Sequence, residues 1–334
     1  MSLAWKSILR TDPLPSLLDW QEPALTYFVR RDLLEENVGP SEVLWGLPEA
    51  RRLVSKQQAD GSWRYPGKSY DPITNANYDL LETYRTLRLL VEMYGFRREH
   101  PALAKAAEYV FSCQTEEGDI RGIIGNQYMP YYHGAILELI IKAGYADDPR
   151  TDKGLQWLLS MRQADGGWVV PAQLVPAKQK TSQLWHGPPV PPDRARPHSH
   201  LATGMALRPF AAHPDYCHHP EAIKAGQRLK ERLFQADKYN DRKAASYWLK
   251  FQYPFWWPSL VTALDTLSRL GFDPQDKDIT RGLDWFVENQ SPDGLWGTGY
   301  GHGPRAESMR RWVGLAICRV LKTFRLQSPH AHRY

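Results

Sequence analysis

The sequence predicts an all-α fold of about five helix pairs, each with an outer and an inner member. Two observations predict it: a short phrase that recurs along the chain, and a change in helix character across that phrase. The phrase reads Gln58-Ala-Asp-Gly-Ser-Trp63, Gln163-Ala-Asp-Gly-Gly-Trp168 and Gln290-Ser-Pro-Asp-Gly-Leu-Trp296. Two worn copies lie between them. Gln114-Thr-Glu-Glu-Gly118 has Ile120 where tryptophan is expected, and Gln235-Ala-Asp237 keeps only the opening. Successive copies start 49 to 56 residues apart, with one interval of 72.

The stretch before each phrase is an amphipathic helix. Ile279, Leu283, Phe286 and Val287 form one apolar stripe, as do Leu155, Leu158 and Leu159, and Leu47, Ala50 and Val54. Charges such as Arg51, Lys153 and Arg281 mark the wet face. Asp-Gly then stops the helix, because glycine takes the left-handed conformation of a C-terminal cap. The stretch after each phrase is apolar on most sides, as in Tyr78–Gly95, Tyr131–Gly144, Trp257–Gly271 and Met309–Phe324. Such a helix is buried. Ala24–Leu34 reads as one more buried helix that opens the series. Alternating half-wet and buried helices favour a ring over an open solenoid, which would leave an inner face exposed.

Composition bounds the rest. With 334 residues, 42% apolar and 24% charged, the chain is neither disordered nor collagen-like. It contains no run of 18 apolar residues, so no membrane span is expected. The opening residues lack the apolar stretch of a secretory signal, and three scattered cysteines make no disulfide framework, so a cytoplasmic protein is expected. A net charge of +5, with acids and bases mixed along the chain, gives no nucleic-acid footprint.

The phrase Gln-x-x-Asp-Gly-x-Trp at a helix-to-helix turn resembles the repeat of squalene and oxidosqualene cyclases and of protein prenyltransferase β-subunits. Counted from Gln57, the copies ending at Trp63 and Trp296 have that spacing; the copy ending at Trp168 is one residue shorter. The resemblance spans Gln57 to Trp296. It implies a single (α/α) toroid over residues 1–334, its inner helices lining a central cavity. The chemical signatures of those families do not carry over. No Asp-x-Asp-Asp tetrad is present; Asp273-Pro-Gln-Asp-Lys-Asp278 is the nearest, in a turn. The one Asp-x-Cys, Asp215-Tyr-Cys217, precedes an outer helix, and Ser308–Leu321 contains no histidine, so the zinc set of the prenyltransferases is missing. No cofactor is expected.

The first turns of the inner helices are rich in aromatic and polar residues, as a small-molecule pocket requires. The first offers Asn75, Tyr78 and Asp79; the second Tyr131, Tyr132 and His133. The fourth offers Lys250, Tyr253, Trp256 and Trp257, and the last Glu307, Arg310, Arg311 and Trp312. Asp79, Glu307 and His133 are the candidate acids and bases. The others are candidate substrate contacts. Arg310, Arg311 and Lys250, with Arg30 and Arg31, suit an acidic head group. Aromatic faces also stabilise a carbocation.

The long interval holds a proline-rich insertion, residues 170–197, whose seven prolines exclude the interior of helix or sheet. Its place in the repeat predicts a lid, with Trp185 and His186 dipping inward. Just beyond, His198, His200, Asp215 and Cys217 are weak candidates for a metal site, at a spacing that matches no zinc pattern.

The expected function is an enzyme with terpene cyclase-like or prenyltransferase-like ancestry. It would act on an apolar or amphiphilic, isoprenoid-type ligand by cyclase, isomerase or lyase chemistry. A non-catalytic ligand-binding toroid and a toroid that cleaves polysaccharide are the alternatives. The sequence does not define an oligomeric state.

Overall fold

The computed structural model describes residues 4–71, 76–239 and 242–327. The protein is all-α: its described residues form helices and turns, with one two-stranded ribbon pairing Tyr70–Asp71 with Ala76–Asn77. No helix among them is long and apolar enough to cross a membrane. The chain divides into two compact units. One comprises Ser41–Arg228 with Asp237–Lys243; the other is the described part of Met1–Pro40, Leu229–Ala236 and Ala244–Tyr334.

Prolines set the helix starts. Pro23, Pro48, Pro101, Pro130, Pro149, Pro220 and Pro304 each open a helix. The ring presets φ there, and its missing N–H is one that no helix uses. The expected alternation is present. Pro149–Ser160 and Lys277–Glu288 follow the recurring phrase's upstream stripe, while Pro130–Ile140 is buried on every side. Tyr78–Tyr94 ends on Gly95, in the left-handed conformation. The helix expected over Ala24–Leu34 is Pro23–Asp32, and it does not open the series, because the short helices Ala4–Ile8 and Leu14–Leu18 precede it.

The phrase is a hydrogen-bonded turn that ties one outer helix to the next. Gln57 Nε2 donates to the carbonyls of Gly61 (2.9 Å) and Ala102 (2.7 Å). Gln114 does the same to Gly118 (2.7 Å) and Arg150 (2.8 Å), and Gln290 to Gly294 (2.9 Å) and Thr11 (2.8 Å). Ala102 and Arg150 each follow the proline that opens the next helix. In the copy ending at Trp168 the glutamine place is held by Arg162, which donates to the Glu221 carbonyl at 3.4 Å and pairs with the Glu221 carboxylate. Gln163 aligns with Gln58 instead, so the shorter copy is a substitution rather than a deletion.

The tryptophans anchor these turns. Trp63, Trp168 and Trp296 donate Nε1 to the carbonyls of Leu53, Leu158 and Phe286, at 2.7, 2.8 and 2.6 Å. Trp168 and Trp296 are completely buried. Burying an indole contributes about 5 kcal/mol of transfer free energy before entropy is counted, and its N–H needs the partner it finds here. The worn copy at Gln235 has no such tryptophan; buried Trp248 supplies an indole N–H to the Gln235 carbonyl, at 2.9 Å.

The proline-rich insertion contains short helical turns, Pro171–Leu174, Ala177–Gln179 and Ser182–His186. Proline at the start of a turn explains the first of these, where the sequence predicts none. Gln127, 1% exposed, straps the insertion down. Its Nε2 donates to the carbonyls of Leu184 (2.5 Å) and Pro188 (3.3 Å), and its Oε1 accepts from Val190 N–H (2.9 Å). Trp185 is half-buried, and His186 is exposed rather than turned inward.

Candidate functional site

In the unit built on Ser41–Arg228, the candidates sit at the starts of two buried helices. Asp79 is in the first turn of Tyr78–Tyr94. Its Oδ1 accepts the Tyr65 N–H at 2.7 Å, and its Oδ2 has no hydrogen-bond partner among the described residues. The Tyr78 and Tyr65 rings stack on each other, centroids 4.9 Å apart, and the Tyr78 hydroxyl reaches Asp71 at 3.4 Å. Asp79 is half-buried and has one carboxylate oxygen to spare. Asn75 lies outside the described residues.

Tyr131, Tyr132 and His133 are buried in the first turn of Pro130–Ile140. Tyr131 packs on Tyr132 at 4.5 Å, and Tyr132 on Tyr84 at 6.1 Å. His133 is completely buried with both ring nitrogens engaged. Nδ1 accepts the Ile120 N–H at 2.9 Å, and Nε2 donates to the Gly154 carbonyl at 3.0 Å. Burial holds the imidazole below its ordinary pKa, so it is neutral. The same duty falls to Thr83 and Thr203, whose hydroxyls accept the N–H of Trp63 (3.0 Å) and Trp168 (2.9 Å). His133 thus holds the worn turn at Ile120, with neither nitrogen left for a substrate.

In the other unit, the expected cations divide. Arg310 is spent on Asp293, which its guanidinium grips at 2.5 and 2.7 Å. That grip holds the Asp293 carboxyl below the usual range. Arg311 pairs with Glu307 at 2.9 Å and lies over the Trp20 ring at 4.1 Å. Arg30 and Arg31 pair with Glu36 and Asp32. Lys250 alone of the five is paired with no carboxylate among the described residues. It stands over the Tyr247 ring at 4.8 Å.

The aromatic side chains there form two groups. Tyr253 stacks flat on Trp312, 5.4 Å between centroids and 3° between planes. The Tyr253 hydroxyl accepts from Arg319 at 3.1 Å, and Trp312 Nε1 donates to Glu22 at 2.6 Å. Both rings are buried. Trp256 and Trp257, 6.0 Å apart, are half-buried. Glu307 lines an open cleft of about 480 Å³ with Arg310 and the glycine-rich segment 297–303. That segment places glycine at every second position, 297 to 303, a pattern plain in the sequence.

The weak metal candidates disperse. His198 Nδ1 is held by Asp165 at 2.9 Å and His200 Nδ1 by Asp237 at 3.3 Å, two different carboxylates. Cys217 donates Sγ–H to the Pro214 carbonyl at 3.1 Å. Among the described residues, no three His, Cys, Asp or Glu side chains converge to hold a metal.

No protein-family model matches the chain, and no curated protein matches it by sequence. Solved structures do align along its length. A protein from Actinoplanes is 16% identical, with 96% of this chain and 99% of that one covered and a TM-score of 0.46. The type II terpene cyclase MstE from Scytonema aligns at 12% identity and a TM-score of 0.32. In complex with merosterolic acid A (product) the alignment covers 92% of this chain and 100% of that one. In complex with geranylgeranyl dihydroxybenzoate (substrate) the shares are 92% and 99%.

Proposed function

We propose that this protein is an enzyme acting on an apolar, isoprenoid-type substrate by cyclisation, isomerisation or lyase chemistry, with Asp79 as the proton donor. The observation that carries the reading is the Asp79 carboxyl. One oxygen is fixed by the Tyr65 N–H and the other is unclaimed among the described residues. A fixed carboxyl, when protonated, can hand its proton from the unclaimed oxygen to an alkene and be left as the carboxylate. The repeated turn supports the reading too, because its wording resembles that of squalene-type cyclases. Glu307 is the second candidate acid. It already ends in an ion pair with Arg311, so it ranks behind Asp79.

The test is a panel of linear polyprenes with neutral, carboxylate or diphosphate heads, with products read by gas chromatography and mass spectrometry. Turnover of one member is expected, reduced about 100-fold or more by Asp79→Asn and little changed by Glu307→Gln. No turnover across the panel, or full turnover in Asp79→Asn, overturns the reading.

The commitment of both His133 nitrogens to backbone favours a second reading, a non-catalytic ligand-binding protein. Native mass spectrometry separates the two. A retained apolar ligand that is never converted supports binding without catalysis.

A further inference from the structure

The open cleft at residues 297–310 has features that the reading above does not use, and the inference from them does not depend on that reading. Its lining is polar: Thr298, Tyr300, His302, Glu307 and Arg310 among glycines, with Ala306 as the one aliphatic side chain. At Gly61, Gly118 and Gly294 the missing Cβ makes way for a carbonyl 2.2 to 2.7 Å from where it would stand. At Gly297 no protein atom lies within 4 Å of that place, and its φ is not in the left-handed range. Neither crowding nor backbone conformation therefore requires glycine at 297. What the bare backbone provides is open space and accessible amides on the cleft wall.

A cation stands beside that space. Phe251 N–H donates to the Thr298 carbonyl at 2.8 Å, which lays Lys250 along the glycine segment. A Cβ at Gly299 would sit 3.4 Å from Lys250 Cγ. The Lys250 ammonium lies 4.8 Å from the Tyr247 ring centroid and 5.9 Å from that of Tyr300, which lines the cleft. No carboxylate pairs with Lys250 or with Arg305 among the described residues. The acids nearby are occupied, Glu307 by Arg311 and Asp293 by Arg310. A half-buried ammonium between two aromatic faces, with no counter-ion, beside open backbone, is matched by a multivalent oxyanion.

We infer that the cleft is an oxyanion site that takes the phosphoryl group of a small polar molecule. The ammonium of Lys250 supplies charge, bare amides around Gly297 supply directed donors, and the polar lining excludes a long apolar tail.

The test is calorimetric titration of the full chain at 150 mM salt with inorganic phosphate, inorganic diphosphate and glycerol 3-phosphate, with sulfate and geranylgeranyl diphosphate as comparison arms. One-to-one binding of at least one of the first three is expected. Lys250→Met and Gly297→Val should each weaken it about tenfold or more, with an unchanged melting temperature. If Lys250→Met does not fold, Gly297→Val carries the comparison, since that position is exposed. Absence of binding, binding unchanged in the variants, or equal binding of sulfate overturns the site. Binding of geranylgeranyl diphosphate alone overturns the polar ligand and makes the cleft a head-group seat.

Discussion

His133 Nδ1 accepts the backbone N–H of Ile120 at 2.9 Å, in the place where Thr83 accepts that of Trp63. The worn turn has lost its tryptophan, and a histidine braced on the Gly154 carbonyl holds it. His133→Ala orphans a buried donor and a buried acceptor and opens a cavity. It should cost about 3 kcal/mol of unfolding free energy, read by urea titration, with His133→Thr recovering part. The pH dependence has a definite sign. Burial lowers the folded pKa below 6.5, so the unfolded chain takes up the proton first. This contribution is full above about pH 6.5 and is lost as pH falls below it. Melting of the native protein should therefore weaken between pH 7 and pH 5, and His133→Thr should remove part of that slope. An identical slope in both proteins would deny His133 this role.

Gly61 has φ of +93°, and a Cβ there would stand 2.2 Å from the Lys105 carbonyl. Gly39 has φ of +74° with nothing within 4 Å. The two separate backbone strain from collision. Gly39→Ala should cost about 1 kcal/mol, the penalty of the left-handed conformation alone. Gly61→Ala must also push a helix away and should cost about 3 kcal/mol or more. Equal losses in chemical denaturation would mean that the turn yields freely.

Gly61 shows what could be read from the sequence. Asp-Gly-x-Trp announces a left-handed glycine and a large anchor, and both are present. The expected helix cap is not: the upstream helices have Ser55, Met161 and Asn289 at their C-caps, none with positive φ, and the glycine serves the turn beyond them. The stripe of Ile279, Leu283 and Phe286 likewise leaves little choice but a helix. What escaped was whatever depends on a partner distant in sequence. Arg162 fills the glutamine place only because Glu221 stands opposite. Arg310 reads as a free cation until Asp293, 17 residues earlier, is seen in its grip. His133 reads as an acid–base group until Ile120 and Gly154 claim its nitrogens. Asp79 has no such distant claimant on its second oxygen among the described residues, so its chemical promise survives folding.

Glu138 and Arg208 form a buried ion pair, 3% and 4% exposed, extended by Lys142, which binds Glu138 and Glu92 at 2.7 Å each. Burial alone would lower the Arg208 pKa, but Glu138, with Tyr84 and Glu92, together offset this and raise it. Arg88, also buried, is pushed down to about 10. Removing one charge leaves others without compensation in a dry interior. Glu138→Leu should cost about 4 kcal/mol, and adding Arg208→Met should restore much of it. The check is a double-mutant cycle by urea unfolding. Additive losses would show that the two residues do not act as a pair.

Gln127 spends its whole amide on the backbone of the proline-rich insertion, at Leu184, Pro188 and Val190. Asn126 holds the same stretch through the carbonyls of Trp185 (3.0 Å) and Gly187 (3.1 Å), so cutting Gln127 loosens the insertion without freeing it. Gln127→Ala forfeits three hydrogen bonds but also frees polar backbone to meet water, so the net loss is about 1.5 kcal/mol, confined to the insertion. That corresponds to about tenfold more opening. Trypsin should then cut after Lys178, Lys180 or Arg194 about ten times faster under native conditions, while the global unfolding midpoint moves little. Cleavage at the native rate would show that the insertion is held elsewhere, with Gln163 and its bonds to the carbonyls of Asp193 (2.6 Å) and Arg196 (2.8 Å) as the next place to cut.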